Sequence, residues 1–235
     1  IGLENKKFIK IMNNLFLLLK NTNKYGLVIV IKILFFEAYY TLKYLDLDSL
    51  KYDDKLTNTY QATKDQKEYN APYIPTPYYF LKIASDFLKE KKINDILFMD
   101  LGCGYSRTQH FFADKFKSFF FGVDIDSHII STINKKKIKN SVFLHLDLRK
   151  IESLNRINKI IKKNKKEKKL IIFFSDSTEL PLLNKILTNI SKNFEFNCIL
   201  VNLRNKRIFK KKYKTIFNKT FNNWQRNITV IKPNE

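Results

Sequence analysis

The sequence predicts an α/β fold built on a mostly parallel β-sheet, with a helical extension at the amino terminus. Three observations predict it: short apolar runs recur along the chain, helix-length segments separate them, and three of the runs end in an aspartate. Strands that are buried on both faces are apolar throughout, as in a parallel sheet that helices cover on both sides. We therefore expect the carboxyl ends of these strands to share one edge, where such folds bind their ligands.

The first apolar run, at residues 96–99, is followed by the sequence Asp-Leu-Gly-Cys-Gly at residues 100–104. Two glycines one residue apart allow a sharp turn from strand to helix and let a ligand approach the main chain closely. The first helical turn beyond them has backbone N–H groups without helical partners, which suit a carboxylate or a phosphate. A dinucleotide site would need a third glycine at the position that Arg107 occupies.

Two further apolar runs end in an acid. Asp124 closes the run that begins at Phe119, and it follows the glycine turn by about twenty residues, the spacing of a carboxylate that binds a ribose. An ionised carboxylate offers two acceptor oxygens, so that Asp124 can accept hydrogen bonds from both ribose hydroxyls. Asp147 closes the run that begins at Val142. The alternative is that Asp124 or Asp147 caps the helix that follows it.

The remaining strands complete the predicted sheet. Apolar runs predict a fourth strand at residues 170–176 and a fifth at residues 198–202. Residues 213–217 and 227–231 are then expected to form a terminal antiparallel pair. A nucleotide-dependent oxidoreductase, the alternative function, would instead have a sheet that continues with further strand–helix units.

The sequence at residues 100–104 resembles the first motif of the class I S-adenosylmethionine-dependent methyltransferases. Residues 73–78 (Tyr-Ile-Pro-Thr-Pro-Tyr), together with Arg107, resemble an uncharacterised bacterial group of these enzymes. A similar segment occurs in the mitochondrial lysine methyltransferase family that acts on an ATP synthase membrane subunit. The resemblance extends from about Lys24 onward. It implies a Rossmann-like, seven-stranded, mostly parallel sheet whose last strand is antiparallel.

The resemblance also implies a cofactor, S-adenosylmethionine, and direct in-line transfer of its methyl group to an acceptor, either a small molecule or a protein. The cofactor-binding residues that it implies are Asp100, Gly102 and Gly104 for the methionine part, Asp124 for the ribose, Asp147 for the adenine, and also Tyr73 and Thr76. No metal site is expected, because the histidines and cysteines lack the spacing of metal ligands.

Two positions depart from the resembled family. Ser106 stands where the family usually has glycine, and residues 175–178 (Ser-Asp-Ser-Thr) stand where the bacterial group has Asn-Pro-Phe. Asp176 is the candidate catalytic residue, as a general base for an acceptor that must lose a proton. Alternatively, Asp176 or Ser177 caps the helix predicted at residues 180–191. A catalytically silent module that binds the cofactor or RNA therefore also stays open.

The amino-terminal region differs in character from the rest of the chain. Residues 1–70 are expected to form a helical extension and linker, and residues 71–235 the methyltransferase domain. Apolar residues at helical spacing predict helices within residues 8–19 and 25–45, and their interrupting charges argue against a membrane span. The apolar faces either pack on the domain or make peripheral membrane contact through residues 8–45. The second case favours a protein-lysine methyltransferase acting near a membrane surface.

The formal net charge of +22 has two interpretations: a basic surface that attracts nucleic acid, anionic lipid or acidic protein, or a record of genome composition, since lysine, like Asn, Ile and Phe, can have AT-rich codons. Nearly all of this charge is lysine, whereas sequence-specific readers of nucleic acid favour arginine. Residues 208–213 interleave aromatic and lysine side chains, an arrangement through which a single strand could bind by stacking.

The two cysteines, Cys103 and Cys198, lie in separate predicted segments and do not suggest a disulfide framework. We expect both to be reduced thiols in a reducing compartment. No secretory signal is evident in the sequence given. These observations predict a cytoplasmic location, with membrane association as the open alternative, and they do not indicate an oligomeric state.

Overall fold

The structure, a computed structural model, describes residues 26–45, 76–136, 138–166, 168–175, 180–202, 209, 212–221 and 227–234. The helices in these ranges are α1 (Leu27–Tyr44), α2 (Tyr78–Glu90), α3 (Arg107–Ala113), α4 (Ser127–Lys135), α5 (Ile151–Lys165) and α6 (Leu180–Ser191). The strands are β1 (Asp95–Leu101), β2 (Lys117–Asp124), β3 (Ser141–His145), β4 (Lys169–Ser175), β5 (Phe196–Val201), β6 (Tyr213–Thr220) and β7 (Asn227–Pro233).

The strands form one seven-stranded sheet in the order β3-β2-β1-β4-β5-β7-β6. Strands β1 to β5 pair in parallel, whereas β7 runs antiparallel to both β5 and β6. The predicted Rossmann-like α/β fold is thus confirmed, including the antiparallel last strand. The chain proceeds from β1 to β2 and β3 on one side, and then crosses to β4 on the other. The turn after β1 therefore lies at the point where strand order reverses, which is where open α/β sheets bind ligands.

The apolar run at residues 96–99 is fully buried at the centre of the sheet. Successive side chains of a strand point to opposite faces, so that this run contributes to two cores. Ile96 and Phe98 pack in the layer that includes α1, α2 and α3, whereas Leu97 and Met99 pack with α5 and α6. Continuous hydrophobicity in β1 is therefore the consequence of helices on both faces.

Helix α1 packs against α2 and α3 through one of its faces. The Tyr40 ring lies 5.3 Å from the Tyr78 ring and 5.0 Å from the Phe111 ring, measured between centroids. Lys43 Nζ lies 2.6 Å from the Asp114 carboxylate just after α3, and the Tyr44 hydroxyl donates to the same carboxylate. Packing on the domain, one of the two alternatives for this helix, is thus observed for residues 27–44.

Other predictions for the amino-terminal region concern residues that the structure does not describe. The helix predicted within residues 8–19 and the domain boundary predicted near residue 70 lie outside the described ranges. Within those ranges, none of the helices combines the length and the hydropathy that crossing a bilayer requires.

Within residues 208–213, the segment suggested as a site for single-stranded nucleic acid, the two aromatic side chains face the protein core. Phe209 and Tyr213 are both buried, with ring centroids 5.9 Å apart, and Tyr213 also contacts Phe196. Buried rings are not available to stack on bases, so these two side chains do not offer the platform that the sequence suggested. The possibility of a nucleic-acid partner therefore depends on charge alone.

Replacing Tyr40 by alanine should lower the free energy of unfolding by about 3 kcal/mol, the usual cost of removing a large aromatic side chain from a core. Phe35 on the same helix is 66% exposed, so its replacement by alanine should change that free energy by less than about 0.5 kcal/mol. Urea unfolding followed by circular dichroism measures both values. Equal stability of the Tyr40→Ala variant and the wild type would contradict the inclusion of α1 in the core.

Candidate functional site

The turn after β1 has an unusual backbone conformation. Gly102 and Gly104 have φ angles of 80° and 48°, and Ser106 has a φ of 62°. The left-handed region costs a residue with a side chain about 1 kcal/mol or more, and glycine avoids this cost. Ser106 therefore adopts the conformation that the family's usual glycine would adopt freely, and the turn is formed despite the substitution.

Hydrogen bonds hold this turn against the end of β2. The Gly104 N–H donates to Asp124 Oδ2 at 2.9 Å, and the N–H groups of Gly102 and Cys103 donate to the Val123 carbonyl at 2.9 and 3.0 Å. Gly122 permits the close approach, because a Cβ atom there would lie 2.7 Å from Cys103 Cβ. The ends of β1 and β2 are thus joined into one unit.

Asp124 ends β2 and accepts backbone hydrogen bonds through both of its oxygens. Oδ2 accepts from Gly104, and Oδ1 accepts from the Asp126 N–H at 2.9 Å. Burial raises the pKa of Asp124, and these N–H donors partly offset the rise. Helix α4 is capped by Asp126, which accepts from the N–H groups of His128 and Ile129. The capping alternative is therefore wrong for Asp124.

Asp100 is a buried acid beside the same turn. Its carboxylate accepts a hydrogen bond from the Thr108 hydroxyl at the start of α3. Burial raises the pKa of Asp100 to about 7, with a further contribution from the charge of Asp124 and an opposing one from the Thr108 hydrogen bond. Near neutral pH the proton occupancy of Asp100 is therefore sensitive to a nearby charge.

Asp147 lies two residues beyond β3, at the same edge of the sheet as the ends of β1 and β2. Both of its oxygens accept from the Arg149 guanidinium at 2.9 Å, and Oδ1 also accepts from the Arg149 N–H at 3.0 Å. These hydrogen bonds lower the pKa of Asp147. Helix α5 follows Lys150, so Asp147 does not cap it. Its contact with adenine stays a prediction.

The other predicted site residues are only partly described. Thr76 is buried just before α2, and its carbonyl accepts from Arg107 Nη1 at 3.3 Å. Tyr73, Asp176 and Ser177 lie outside the described residues, so that the general base and its capping alternative both stay predictions.

The structure adds a polar side chain, Gln109, that the sequence did not single out. Gln109 is 2% exposed, and neither atom of its side-chain amide finds a hydrogen-bond partner among the described residues. The buried Ser106 hydroxyl is also without a partner in that part of the chain. A cavity of about 10 Å³ adjoins Gln109, Asp100 and Thr108, roughly the space that one water molecule needs.

The chain is similar to several solved structures, each at a TM-score below 0.5. A putative methyltransferase, yhhF, from Escherichia coli is 11% identical and covers 66% of this chain and 86% of its own, with a TM-score of 0.47. N-methyltransferase NodS from Bradyrhizobium japonicum WM9, in complex with S-adenosyl-L-homocysteine, is 9% identical with coverages of 66% and 88% and a TM-score of 0.47. A SAM-dependent methyltransferase from Aquifex aeolicus is 13% identical with coverages of 77% and 98% and a TM-score of 0.43.

No protein-family model matches the chain, and the comparison with curated proteins gives no match. The fold is the one that the resemblance to class I methyltransferases implied. At 9–13% identity and TM-scores below 0.5, these similarities establish no activity for this chain.

Replacing Asp100 by asparagine should reduce the dependence of stability on pH between about pH 4 and pH 7. The folded-state pKa is about 7 and the unfolded-state pKa about 3.9, so the folded protein binds this proton more tightly. As pH rises through that window, the unfolded chain releases this proton while the folded protein retains it, so the wild type loses stability, about 4 kcal/mol in total.

Urea unfolding of the wild type and the Asp100→Asn variant at a series of pH values measures this difference. Asparagine retains an oxygen that accepts from the Thr108 hydroxyl, so that the comparison isolates the charge. Contributions from Asp124, whose pKa is raised, and from Asp147, whose pKa is lowered, are common to both proteins. Identical pH profiles for the two proteins would contradict the raised pKa of Asp100.

Proposed function

We propose that the protein is an S-adenosylmethionine-dependent methyltransferase that transfers a methyl group directly to its acceptor. The observation that carries this proposal is the left-handed turn at Gly102 and Gly104, bound through the Gly104 N–H to Asp124 where strand order reverses. This arrangement puts two residues without side chains next to a carboxylate of the kind that binds a ribose.

The residues at the turn fit this cofactor. Each oxygen of Asp124 accepts a backbone N–H and has a second lone pair, which suits the two hydroxyls of a ribose. Gly102 and Gly104 have no side chains, so that the methionine part could lie against the main chain beside Asp100. Asp147 would receive the adenine amino group through acceptor capacity that remains beside Arg149.

The charges at the turn favour a cation over a pyrophosphate. Burial raises the pKa of both Asp100 and Asp124, so that ionising either one is costly without a positive partner. S-adenosylmethionine carries positive charge on its sulfonium and its amino group, which would relieve this cost. The pyrophosphate of a nicotinamide dinucleotide would add negative charge beside two acids, and the oxidoreductase alternative is therefore disfavoured.

When bound, S-adenosylmethionine would supply an electrophilic methyl carbon: an in-line nucleophile of the acceptor would bond to this carbon, the carbon–sulfur bond would break, and its electron pair would stay on the sulfur of the leaving S-adenosylhomocysteine. The residues of the turn contribute by orientation, which supplies about 7–11 kcal/mol in well-oriented reactions. Acid–base chemistry is needed only for an acceptor that must lose a proton, and Asp176 is proposed for that step.

Calorimetric titration should detect binding of S-adenosylmethionine and S-adenosylhomocysteine, and no binding of a nicotinamide dinucleotide. The Asp124→Ala variant should lose at least about tenfold in affinity, because two charge-assisted hydrogen bonds to the ribose are removed. Asp126→Ala is the matched control, since Asp126 is two residues away and caps α4. Equal affinities of the Asp124→Ala variant and the wild type would contradict the assignment of the ribose site.

A second candidate function is methyl transfer to a protein lysine near a membrane surface, and the outward face of α1 favours it. The large apolar side chains exposed on this face are Leu27, Val28, Ile31, Leu34, Phe35, Tyr39 and Leu42. A continuous apolar surface marks an interaction site. Exposed Lys32 lies on the same helix and the whole chain carries a charge of +22. A face of this kind suits the interface of an anionic bilayer.

Sedimentation with lipid vesicles tests this second candidate. The wild type should co-sediment with vesicles containing phosphatidylglycerol, and the Ile31→Ser/Phe35→Ser variant should lose most of that binding, since about 0.8 kcal/mol is lost per buried methylene group. A Val142→Ser/Ile151→Ser variant is the control, because both residues are also exposed and apolar but lie away from α1. Absence of vesicle binding by the wild type, or equal losses in both variants, would contradict the membrane role of α1.

A further inference from the structure

Glu37 joins three separate segments of the chain. It lies on the inner side of α1, where its Oε1 accepts from the Tyr78 N–H at 2.6 Å and its Oε2 accepts from Arg107 Nη1 at 2.7 Å. Tyr78 begins α2, and Arg107 begins α3. One carboxylate thus fixes the start of both helices to α1.

The Arg107 side chain contacts α1 through Glu37, α2 through Tyr78, and the carbonyl of Thr76 just before α2. It is only 4% exposed, and its guanidinium lies 4.4 Å from the centroid of the Tyr78 ring. It also donates to the carbonyl of Thr76. A buried guanidinium needs charged and polar partners, so that its position depends on where the Glu37 carboxylate is held.

Arg107 immediately follows the strained part of the candidate cofactor site. Ser106 has a φ of 62°, and a residue with a side chain stays in this region only where its surroundings enforce it. The turn and α3 are covalently continuous at this point, so that fixing Arg107 restricts the backbone of Ser106. The contacts of Glu37 therefore act on the conformation of the turn.

We infer that Glu37 is a positioning residue that holds the Gly102–Ser106 turn in its ligand-binding conformation through Arg107. The inference rests on the proposed function, in which this turn binds the methionine part of S-adenosylmethionine. Glu37 acts on the turn through Arg107 and does not contact the cofactor itself. Cofactor affinity therefore depends on the packing of α1, the helix that carries Glu37.

A matched control exists on the same pair of helices. Asp114 follows the last residue of α3, and it accepts from Lys43 Nζ at 2.6 Å and from the Tyr44 hydroxyl at 3.1 Å. This contact also fastens α1 to α3, but at the end of α3 that is remote from the turn. An effect of merely loosening α1 should therefore appear equally in Asp114→Asn and Glu37→Gln.

The first experiment measures the affinity for S-adenosylhomocysteine by calorimetry, at a temperature where each variant is fully folded. Glu37→Gln retains an acceptor for the Tyr78 N–H and removes the charge that faces Arg107. It should weaken binding about tenfold, whereas Asp114→Asn should stay within about twofold of the wild type. Equal affinities of Glu37→Gln and the wild type, or equal losses in both variants, would overturn the inference.

A second variant separates positioning from general stability. Glycine adopts positive φ without strain, so that Ser106→Gly in the Glu37→Gln background should restore affinity to within about threefold of the wild type. If Glu37 only anchored α1, the Ser106→Gly change would not restore the affinity of the Glu37→Gln variant. Failure of this rescue would overturn the inference.

Hydrogen exchange at the Gly104 amide gives a readout that does not need the cofactor. This N–H donates to Asp124 across the turn, so Glu37→Gln should speed its exchange more than Asp114→Asn does. If the wild type binds neither S-adenosylmethionine nor S-adenosylhomocysteine, the proposed function fails. The exchange rates then decide the positioning role alone, and equal rates in the two variants would overturn it.

Discussion

The hydrogen bond from the Gly104 N–H to the Asp124 carboxylate is the interaction on which the candidate site depends. It joins the ends of two neighbouring parallel strands, β1 and β2, and fixes a turn that would otherwise have several accessible conformations. The absence of a side chain at Gly122 is a precondition, because any Cβ there would push Cys103 and the turn away from β2. The conformation of the turn therefore depends on how closely β1 and β2 pack at Gly122.

The burial of two acids and the packing of α1 determine which ligand the turn favours and how firmly its conformation is held. Asp100 and Asp124 lie where burial raises their pKa values, so that the same low-polarity environment that orders the turn also favours a cationic ligand over an anionic one. Helix α1 contributes the aromatic packing around Tyr40, and its Glu37 forms an ion pair with Arg107, the residue that follows the turn. The amino-terminal helix is thus part of the support of the site, while its opposite face remains exposed.

The sequence predicted the features whose signals are local. Strands β1 to β5 were recognisable because burial on both faces requires continuous apolar runs, and Gly102, Gly104 and Asp124 were recognisable from their places at strand ends. The Glu37–Arg107 ion pair could not be recognised from the sequence, because the two residues are 70 positions apart. Either charge alone is typical of a solvated helix face. The choice of Asp126 over Asp124 as the cap of α4 depended on where the helix begins, which shifts by one or two residues without a change in pattern.

Nuclear magnetic resonance of protein labelled with ¹⁵N-glycine, titrated with S-adenosylhomocysteine, tests the assignment of the turn most directly. The chain has only 5 glycines, so that each amide can be assigned by substitution. Gly102 and Gly104 should shift at saturation with the largest amplitudes, because the ligand would lie against their main chain, whereas Gly26 before α1 should remain unchanged. Saturable binding that leaves Gly102 and Gly104 unshifted would place the ligand elsewhere and contradict the proposed cofactor site.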